Sequence, residues 1–125
     1  MRKLLLTAAA GTVAASLLAA ASGCGGSAIM QPPGSTKVTM TDFKFAPAHL
    51  DLPAGKTKFY LVNSGTSAHN MVVADPGGTR IAKSELVQAG NAAVFQPQLS
   101  AGNYKFFCDE PGHADAGMKG TLTVS

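Results

Sequence analysis

The sequence feature that most constrains the fold is a strand–loop–strand pattern near the C-terminal end. Apolar, aromatic and sulfur-bearing side chains share one parity on the two sides of the loop: Tyr104, Phe106, Cys108, Met118, Leu122 and Val124. Because successive side chains of a β-strand point to opposite faces of the sheet, residues of one parity lie on one face. We therefore expect two strands that direct Cys108 and Met118 towards a common interior.

The rest of the chain also has the pattern of short strands separated by turns. Alternation and turn residues predict further strands over residues 38–45, 49–52, 57–61, 69–74 and 92–95. The parity of the apolar residues changes near Thr41 and Asp42, which indicates a bulge or a bend. Ile81–Val87 follows neither period, and we expect a short helical turn or an irregular excursion there. The whole pattern predicts an all-β sandwich of seven to eight strands.

Tyr104 indicates how these strands are connected. The stretch from Leu99 to Tyr104 resembles the tyrosine corner of Greek-key sandwiches, in which a tyrosine near the start of a strand donates a hydrogen bond to upstream backbone. We therefore assign Tyr104 a structural role and expect Greek-key topology.

The N-terminal segment is organised like a secretory signal. Arg2 and Lys3 precede an uncharged apolar run over residues 4–21, and small residues follow it. We predict a signal peptide over residues 1–23. A transmembrane anchor is the alternative, since the run approaches the length of a membrane span.

The residues that end at Cys24, Ala-Ser-Gly-Cys, resemble the lipobox of bacterial lipoproteins, in which the cysteine carries the lipid. Ordinary cleavage nearby, with Cys24 incidental, is the alternative. Residues 24–36 are rich in Gly, Ser and Pro and are predicted to form a flexible tether. Residues 37–125 then form one domain. We expect a protein exported from a bacterial-type cell and anchored in the membrane by a lipid on Cys24, facing the periplasm or the cell exterior.

The charge balance argues against binding to nucleic acid. The full chain has a formal net charge of +3, but Arg2 and Lys3 belong to the predicted signal. Without them, eight Lys and Arg remain against seven Asp and Glu, so the mature chain has a net charge of +1. No basic stripe is present in the sequence, and nucleic-acid binding therefore lacks an electrostatic basis.

Three candidate metal ligands follow one another at intervals of five residues: Cys108, His113 and Met118. His69, which opens an earlier apolar strand, is the leading candidate for a fourth. A thiolate, two imidazoles and a weakly bound axial thioether are typical of electron-transfer copper sites. Because Cys24 lies on the tether, Cys108 is the lone thiol of an exported domain, which indicates a metal ligand or a reactive group. We predict one copper ion at these four side chains.

Each of these residues alone has a simpler interpretation. A single histidine is more often a cap or a core residue, and a methionine or buried cysteine is most often part of the core. The spacing Cys-x4-His-x4-Met, combined with a histidine at the start of a buried strand, favours a metal site. His49 lies between two prolines and is interpreted as a surface residue.

Two segments resemble the cupredoxin family of type 1 blue copper proteins, which includes plastocyanin, azurin and rusticyanin. One is Ser67-Ala68-His69-Asn70-Met71, and the other runs from Tyr104 to Gly120 and contains Cys108, Pro-Gly-His and Gly-Met. The resemblance spans residues 37–125 and implies a Greek-key sandwich with copper near one end. It also implies that Asn70 ties the ligand segments together near the sulfur, and that the ring of His113 is the electron port.

The resemblance implies transient redox partners that dock near His113, and we expect the protein to be a monomer. Small or apolar neighbours of this histidine suit close docking: Pro111, Ala114 and Ala116. Three acidic residues flank them: Asp109, Glu110 and Asp115. These acids either steer a basic partner at low salt or are simply solvated loop residues.

Other functions use the same residues differently. A copper carrier or delivery protein shares all four ligands but exchanges the metal instead of an electron. A Cys–His enzyme needs an accessible, activated thiolate, whereas Cys108 is predicted to face inward without a helix start to lower its pKa. A copper oxidase needs further ligands, and only His49 remains. Zinc is compatible with the same donors. We therefore expect an electron carrier and not an enzyme.

Overall fold

The computed structural model describes residues 29–125. The predicted signal peptide, Cys24 and the start of the predicted tether lie outside this range. The first strand starts at Thr36, one residue before the predicted domain boundary. Between residues 29 and 125, no helix has the length and apolar character required to cross a membrane.

The described residues form nine strands, with bounds as follows: β1 (Thr36–Thr41), β2 (Lys44–Ala46), β3 (His49–Leu52), β4 (Phe59–Asn63), β5 (Val72–Ala74), β6 (Arg80–Lys83), β7 (Ala92–Phe95), β8 (Gly102–Phe107) and β9 (Lys119–Val124). One sheet has the order β2-β1-β4-β7, and the other has the order β3-β9-β8-β5-β6. β1 runs parallel to β4, and β3 runs parallel to β9. The prediction of an all-β sandwich is confirmed.

The core lies between the two sheets and follows the period of two that strands require. In β4, the side chains of Phe59, Leu61 and Asn63 are buried, while the two residues between them are partly exposed. The rings of Phe45 and Phe106 meet edge to face across the sandwich, with centroids 5.1 Å apart. Burial of these side chains supplies most of the driving force for folding, since apolar surface contributes about 25 cal/mol per Å² removed from water.

The structure differs from the sequence-based expectation in several places. It has nine strands instead of seven to eight, and the strand expected over residues 69–74 begins at Val72, so that His69 lies before it. The predicted single strand over residues 38–45 is two antiparallel strands, in which Thr41 pairs with Lys44 across a tight reversal at Asp42 and Phe43. The predicted bend therefore reverses the chain completely. The segment expected to be helical or irregular begins with β6, whose residues pair with β5 across a bulge. Its alternation is weak because β6 is an edge strand with mostly exposed side chains.

The tyrosine corner is present as predicted. The hydroxyl of Tyr104 donates a hydrogen bond to the carbonyl of Ser100, with 2.7 Å between the oxygens. This bond fixes the start of β8, the strand that leads to Cys108. The expected edge strand is also confirmed, since β3 lies at one edge of the five-stranded sheet.

Gly120 allows β9 to pass close to its neighbours, and Gly120→Ala tests this packing. A methyl group at this position collides with the ring of Phe106 and with the carbonyl oxygen of Ala48. We expect the substitution to lower the free energy of unfolding by about 1–3 kcal/mol, as overpacking does. Gly77→Ala is the matched control, because its nearest neighbour is the flexible carboxylate of Asp75 at 3.3 Å. Equal stability of the two variants in urea denaturation would contradict the packing argument.

Candidate metal centre

The predicted ligands come together where three loops meet at one end of the sandwich. His69 lies in the loop between β4 and β5, and Cys108 and His113 lie in the loop between β8 and β9. Asp42 and Phe43 approach from the turn between β1 and β2. Because these loops connect strands of both sheets, the centre forms only when the sandwich closes.

Backbone and amide hydrogen bonds hold His69 in place. Its N–H donates to the carbonyl of Val87 at 3.0 Å, and its carbonyl accepts from the Val87 N–H at 2.8 Å. The side chain of buried Asn63 donates to the carbonyls of Ser67 and Val87, at 2.8 Å each. The two segments on which His69 depends are therefore joined through one amide group, which fixes the backbone at His69.

Cys108 and Met118 extend the ladder between β8 and β9. The Cys108 N–H donates to the Met118 carbonyl at 3.1 Å, and the Met118 N–H donates to the His113 carbonyl at 3.0 Å. Between them the chain forms consecutive turns, in which the N–H of His113 donates to the carbonyl of Glu110. Gly112 and Gly117 adopt positive φ angles of 80° and 111°, which suit glycine. The loop thus returns Met118 to a position beside Cys108.

The donor atoms of three side chains converge. The Sγ atom of Cys108 lies 4.0 Å from Nδ1 of His69 and 3.5 Å from Nδ1 of His113, and the two Nδ1 atoms are 3.1 Å apart. All three atoms lie within 4.8 Å of one another. Cys108 and His69 are fully buried, whereas His113 is half-buried. One sulfur and two nitrogens in this arrangement fit a copper ion and are compatible with zinc.

Met118 and His49 are placed differently. The side chain of Met118 is fully buried in the same core cluster as Cys108, and its backbone contacts both loop ligands. His49 is exposed on β3, where its Nδ1 atom contacts the hydroxyl of Thr121. The structure thus keeps His49 outside the cluster of donor atoms.

Burial raises the pKa of the Cys108 thiol above its ordinary value, and the carboxylates of Glu110 and Asp109 act in the same direction. The backbone N–H groups of Asn70 and Glu110 oppose this effect. A thiol with a raised pKa is mostly protonated at neutral pH, so metal binding must release its proton. Such a buried thiol is unsuited to nucleophilic attack.

Asn70 ties the two ligand segments together, as the resemblance implied. Its amide nitrogen donates to Oδ1 of Asp109 at 2.6 Å, and its amide oxygen accepts from the Asp109 N–H at 3.0 Å. Arg80 and Lys83 donate to the other carboxylate oxygen, at 2.7 Å and 2.9 Å. Burial raises the pKa of Asp109, but the hydrogen bonds from Asn70, Lys83 and Arg80 outweigh this effect and lower the pKa to about 2. Asp109 is therefore a paired structural group and not a free steering charge.

Sequence reasoning missed Asp42, whose carboxylate approaches the outer edge of the His69 ring. Oδ1 of Asp42 lies 2.7 Å from Nε2 of His69. Hydrogen bonds from the Thr66 hydroxyl and amide hold the pKa of Asp42 well below its ordinary value, so the carboxylate is charged. The parity change at Thr41 and Asp42 signalled a bend, but nothing local indicated that this bend reaches a histidine 27 residues away.

Phe43 was also missed. Its ring lies against His113 with centroids 4.6 Å apart, and it meets His69 edge-on at 6.2 Å. Phe43 is 38% exposed, so part of its ring lies at the protein surface. The surface beside His113 therefore includes an aromatic ring from the opposite sheet, in addition to the small loop residues predicted from the sequence.

Known proteins resemble this chain in sequence and in structure. The sequence matches the family described as a cupredoxin-like domain over residues 7–124. It is 30% identical over 113 residues to the copper-resistant cuproprotein CopI of Rubrivivax gelatinosus, a match that covers 72% of this chain and 66% of that protein. The chain thus spans just under two thirds of the length of this relative.

Solved structures show the same fold. Auracyanin B superposes with a TM-score of 0.63 and 26% identity, covering 81% of this chain and 96% of that one. Oxidised plastocyanin from Dryopteris crassirhizoma gives a TM-score of 0.57 and 27% identity, covering 72% of this chain and 100% of that one.

The contribution of the Asn70–Asp109 pair can be measured with Asn70→Ala. We expect the free energy of unfolding of the metal-free protein to fall by about 2 kcal/mol, since the Asp109 N–H and carboxylate both lose a partner. The lowered pKa of Asp109 means that its stabilising effect is complete above its ordinary pKa of 3.8 and is lost as the pH falls towards 2. The difference between wild type and variant should therefore shrink in acid.

Asn103→Ala is the matched control for this prediction. Asn103 is an exposed residue of β8 whose side-chain oxygen accepts one hydrogen bond from Thr123 at 3.2 Å. We expect a small change that does not vary with pH, because no depressed carboxylate depends on Asn103. A loss in Asn70→Ala that persists unchanged in acid would show that Asp109 does not contribute through its charge.

Proposed function

The chain belongs to the cupredoxin family, and we propose that it carries single electrons through one type 1 copper ion held by His69, Cys108, His113 and Met118. The observation that carries this proposal is the convergence of Sγ of Cys108 with Nδ1 of two histidines at the buried end of the sandwich. The family and the donor set together support copper as the metal.

Each proposed ligand has a distinct role. Cys108 supplies the strong, electron-rich thiolate bond, and the two imidazoles supply neutral nitrogen through Nδ1. We assign the weak axial position to the thioether of Met118, because this residue is fully buried and hydrogen-bonded through its backbone to the segments of both loop ligands. Copper bound in this way supplies a one-electron couple whose potential depends on the axial ligand and on the polarity around the sulfur.

The surroundings of the site favour electron transfer because they restrict movement of the ligands. The backbone of His69 is hydrogen-bonded to that of Val87, and the N–H of Cys108 donates to the Met118 carbonyl. The hydrogen bonds between Asn70 and Asp109 also restrict the segment that contains Cys108. When the ligands keep the same positions in both oxidation states, little structural rearrangement accompanies the gain or loss of an electron, which favours electron transfer. The buried thiol with its raised pKa also argues against a Cys–His enzyme.

We propose that electrons pass through the half-buried edge of His113 to transient protein partners. Exposed Pro111 and Ala116 lie on the same loop, and the partly exposed ring of Phe43 covers one side of the imidazole. An apolar surface of this kind desolvates readily and suits brief contacts. Glu110 and Asp115 remain available to steer a basic partner, whereas Asp109 is neutralised by Arg80 and Lys83.

Export and membrane attachment through a lipid on Cys24 are proposed from the sequence pattern. Residues 29–35 precede β1 as a non-strand segment, and the carbonyl of Ile29 accepts a hydrogen bond from Tyr60 at 2.5 Å. We propose that this segment connects the lipid anchor to the domain.

Copper delivery is the second candidate function. It is favoured by the 30% identity to a protein described as copper-resistant and as a cuproprotein. A delivery protein uses the same ligands but must release the metal to a receiver. The proposed ligands of this chain are mostly buried and are held by hydrogen bonds, which favours retention of the metal over its release.

The assignment of copper to Cys108 predicts an intense visible band. We expect Cu(II) added to the purified domain to give a strong blue or green thiolate-to-copper absorption, and Cys108→Ser to abolish it, because the hydroxyl cannot supply the thiolate donor. His49→Ala is the matched control and should retain the full band, since His49 lies outside the donor cluster. A wild-type protein without the band would refute the copper site.

Retention of copper separates electron transfer from delivery. For an electron carrier, we expect a reversible one-electron couple in voltammetry and slow loss of copper to a competing chelator, because the ligands are buried and held by hydrogen bonds. Rapid transfer of copper to the chelator without a reversible couple would instead support delivery. Both measurements use the same copper-loaded wild-type protein.

A further inference from the structure

The carboxylate of Asp42 and the imidazole of His69 form a pair that the proposed ligand set does not include. Nε2 of His69 lies 2.7 Å from Oδ1 of Asp42, while Nδ1 of the same ring faces the Sγ atom of Cys108 and the Nδ1 atom of His113. A neutral imidazole with its hydrogen on Nε2 donates to the carboxylate and leaves Nδ1 free as a lone-pair donor. This contact thus favours the tautomer in which Nδ1 of His69 is free to bind the metal.

Asp42 is itself held firmly by the loop that contains His69. The N–H and hydroxyl of Thr66 both donate to Oδ2, and the N–H of Ser67 donates to Oδ1 at 3.2 Å. The side chain of Asp42 is only 23% exposed. Gly65 lies so close to this carboxylate that a methyl group there would collide with it. The turn between β1 and β2 is therefore shaped around a carboxylate whose remaining acceptor position points at the ligand histidine.

We propose that Asp42 is a positioning residue for His69 that favours Cu(II) over Cu(I) and so lowers the reduction potential of the site. The inference rests on the proposed function, since it concerns the same copper. A carboxylate that accepts the outer N–H of a ligand imidazole fixes the orientation of the ring and increases its basicity towards the metal. Its negative charge stabilises the more highly charged oxidation state.

A purely structural role for Asp42 makes a different prediction. If the carboxylate only holds the loop, any loss of its hydrogen bonds should disturb the copper site in the same direction. If it acts on His69 through charge, removing the charge and removing a loop hydrogen bond should have different effects. Thr66→Val removes the hydroxyl donor but keeps both the carboxylate and its contact with His69, so it separates these two cases.

The test compares reduction potentials and Cu(II) affinities of the copper-loaded wild type, Asp42→Asn and Thr66→Val. For Asp42→Asn we expect a loss of Cu(II) affinity of about 10- to 100-fold, the usual effect of removing such a partner. We expect a smaller loss of Cu(I) affinity. Each tenfold difference between the two losses raises the potential by about 59 mV. For Thr66→Val we expect no rise, because the carboxylate keeps its charge.

Asp51→Asn controls for the change in net charge. Asp51 is exposed on β3 opposite Thr123, several residues along β9 from the Met118 end of that strand. We expect the reduction potential and the Cu(II) affinity of Asp51→Asn to match those of wild type. The proposal is overturned if Asp42→Asn has the same reduction potential as Asp51→Asn. It is also overturned if Thr66→Val raises the reduction potential as much as Asp42→Asn does.

A measurement on the wild type keeps the inference testable if Asp42→Asn does not fold. In the reduced, diamagnetic Cu(I) protein, nitrogen-resolved NMR should show a downfield Nε2 proton on His69 that exchanges slowly with water. Rapid exchange of this proton overturns the proposal. A wild type that shows a thiolate-to-copper band but fails these tests refutes only the role of Asp42, whereas a wild type without the band refutes the proposed function itself.

Discussion

The structure depends on placing a thiol and two imidazoles together at the end of an apolar core. Cys108 and His69 are completely buried, and polar groups in such a place are costly unless they have partners. The protein meets this requirement in two ways. The donor atoms face one another at distances that suit a metal, and the remaining polar atoms are hydrogen-bonded. Among residues 29–125, no buried side-chain nitrogen or oxygen lacks a hydrogen-bond partner.

This requirement explains why the loops at the copper end are joined more tightly than ordinary connections. Asn63 joins the chain before His69 to the segment around Val87, and Asn70 joins the chain after it to the segment that follows Cys108. Asp42 connects the opposite sheet to the same histidine. Each link uses a short polar side chain whose hydrogen bonds reach backbone or charged groups. These hydrogen bonds therefore restrict the loops, which suits a metal site with a fixed geometry.

The fold could largely be predicted, and the candidate ligands could be identified, from the sequence because both rest on local patterns. The parity of Phe106, Cys108 and Leu122 follows from the period of two in a strand, and the spacing of Cys108, His113 and Met118 lies within one loop. The role of Asp42 could not be predicted, because it depends on how a reversal in one sheet meets a loop of the other. Asp109 was misjudged for the same reason. The cations that pair with Asp109, Arg80 and Lys83, lie on β6. Most side chains of this edge strand are exposed, so its sequence lacks the alternation of apolar and polar residues that would have predicted a strand.

The two carboxylates beside the ligand segments have different partners, and we therefore expect them to affect the metal differently. Asp109 is paired with both Arg80 and Lys83, so its charge is neutralised locally and it acts mainly through geometry. Among the described ion pairs, Asp42 faces only the imidazole of His69. With Cu(II) bound, the metal, the thiolate of Cys108 and the carboxylate of Asp42 would have no net charge, whereas the reduced site would carry one negative charge. A partly buried environment penalises the charged form more than the neutral one, so the same carboxylate that orients His69 also opposes reduction. Orientation and redox tuning are thus two consequences of one hydrogen bond.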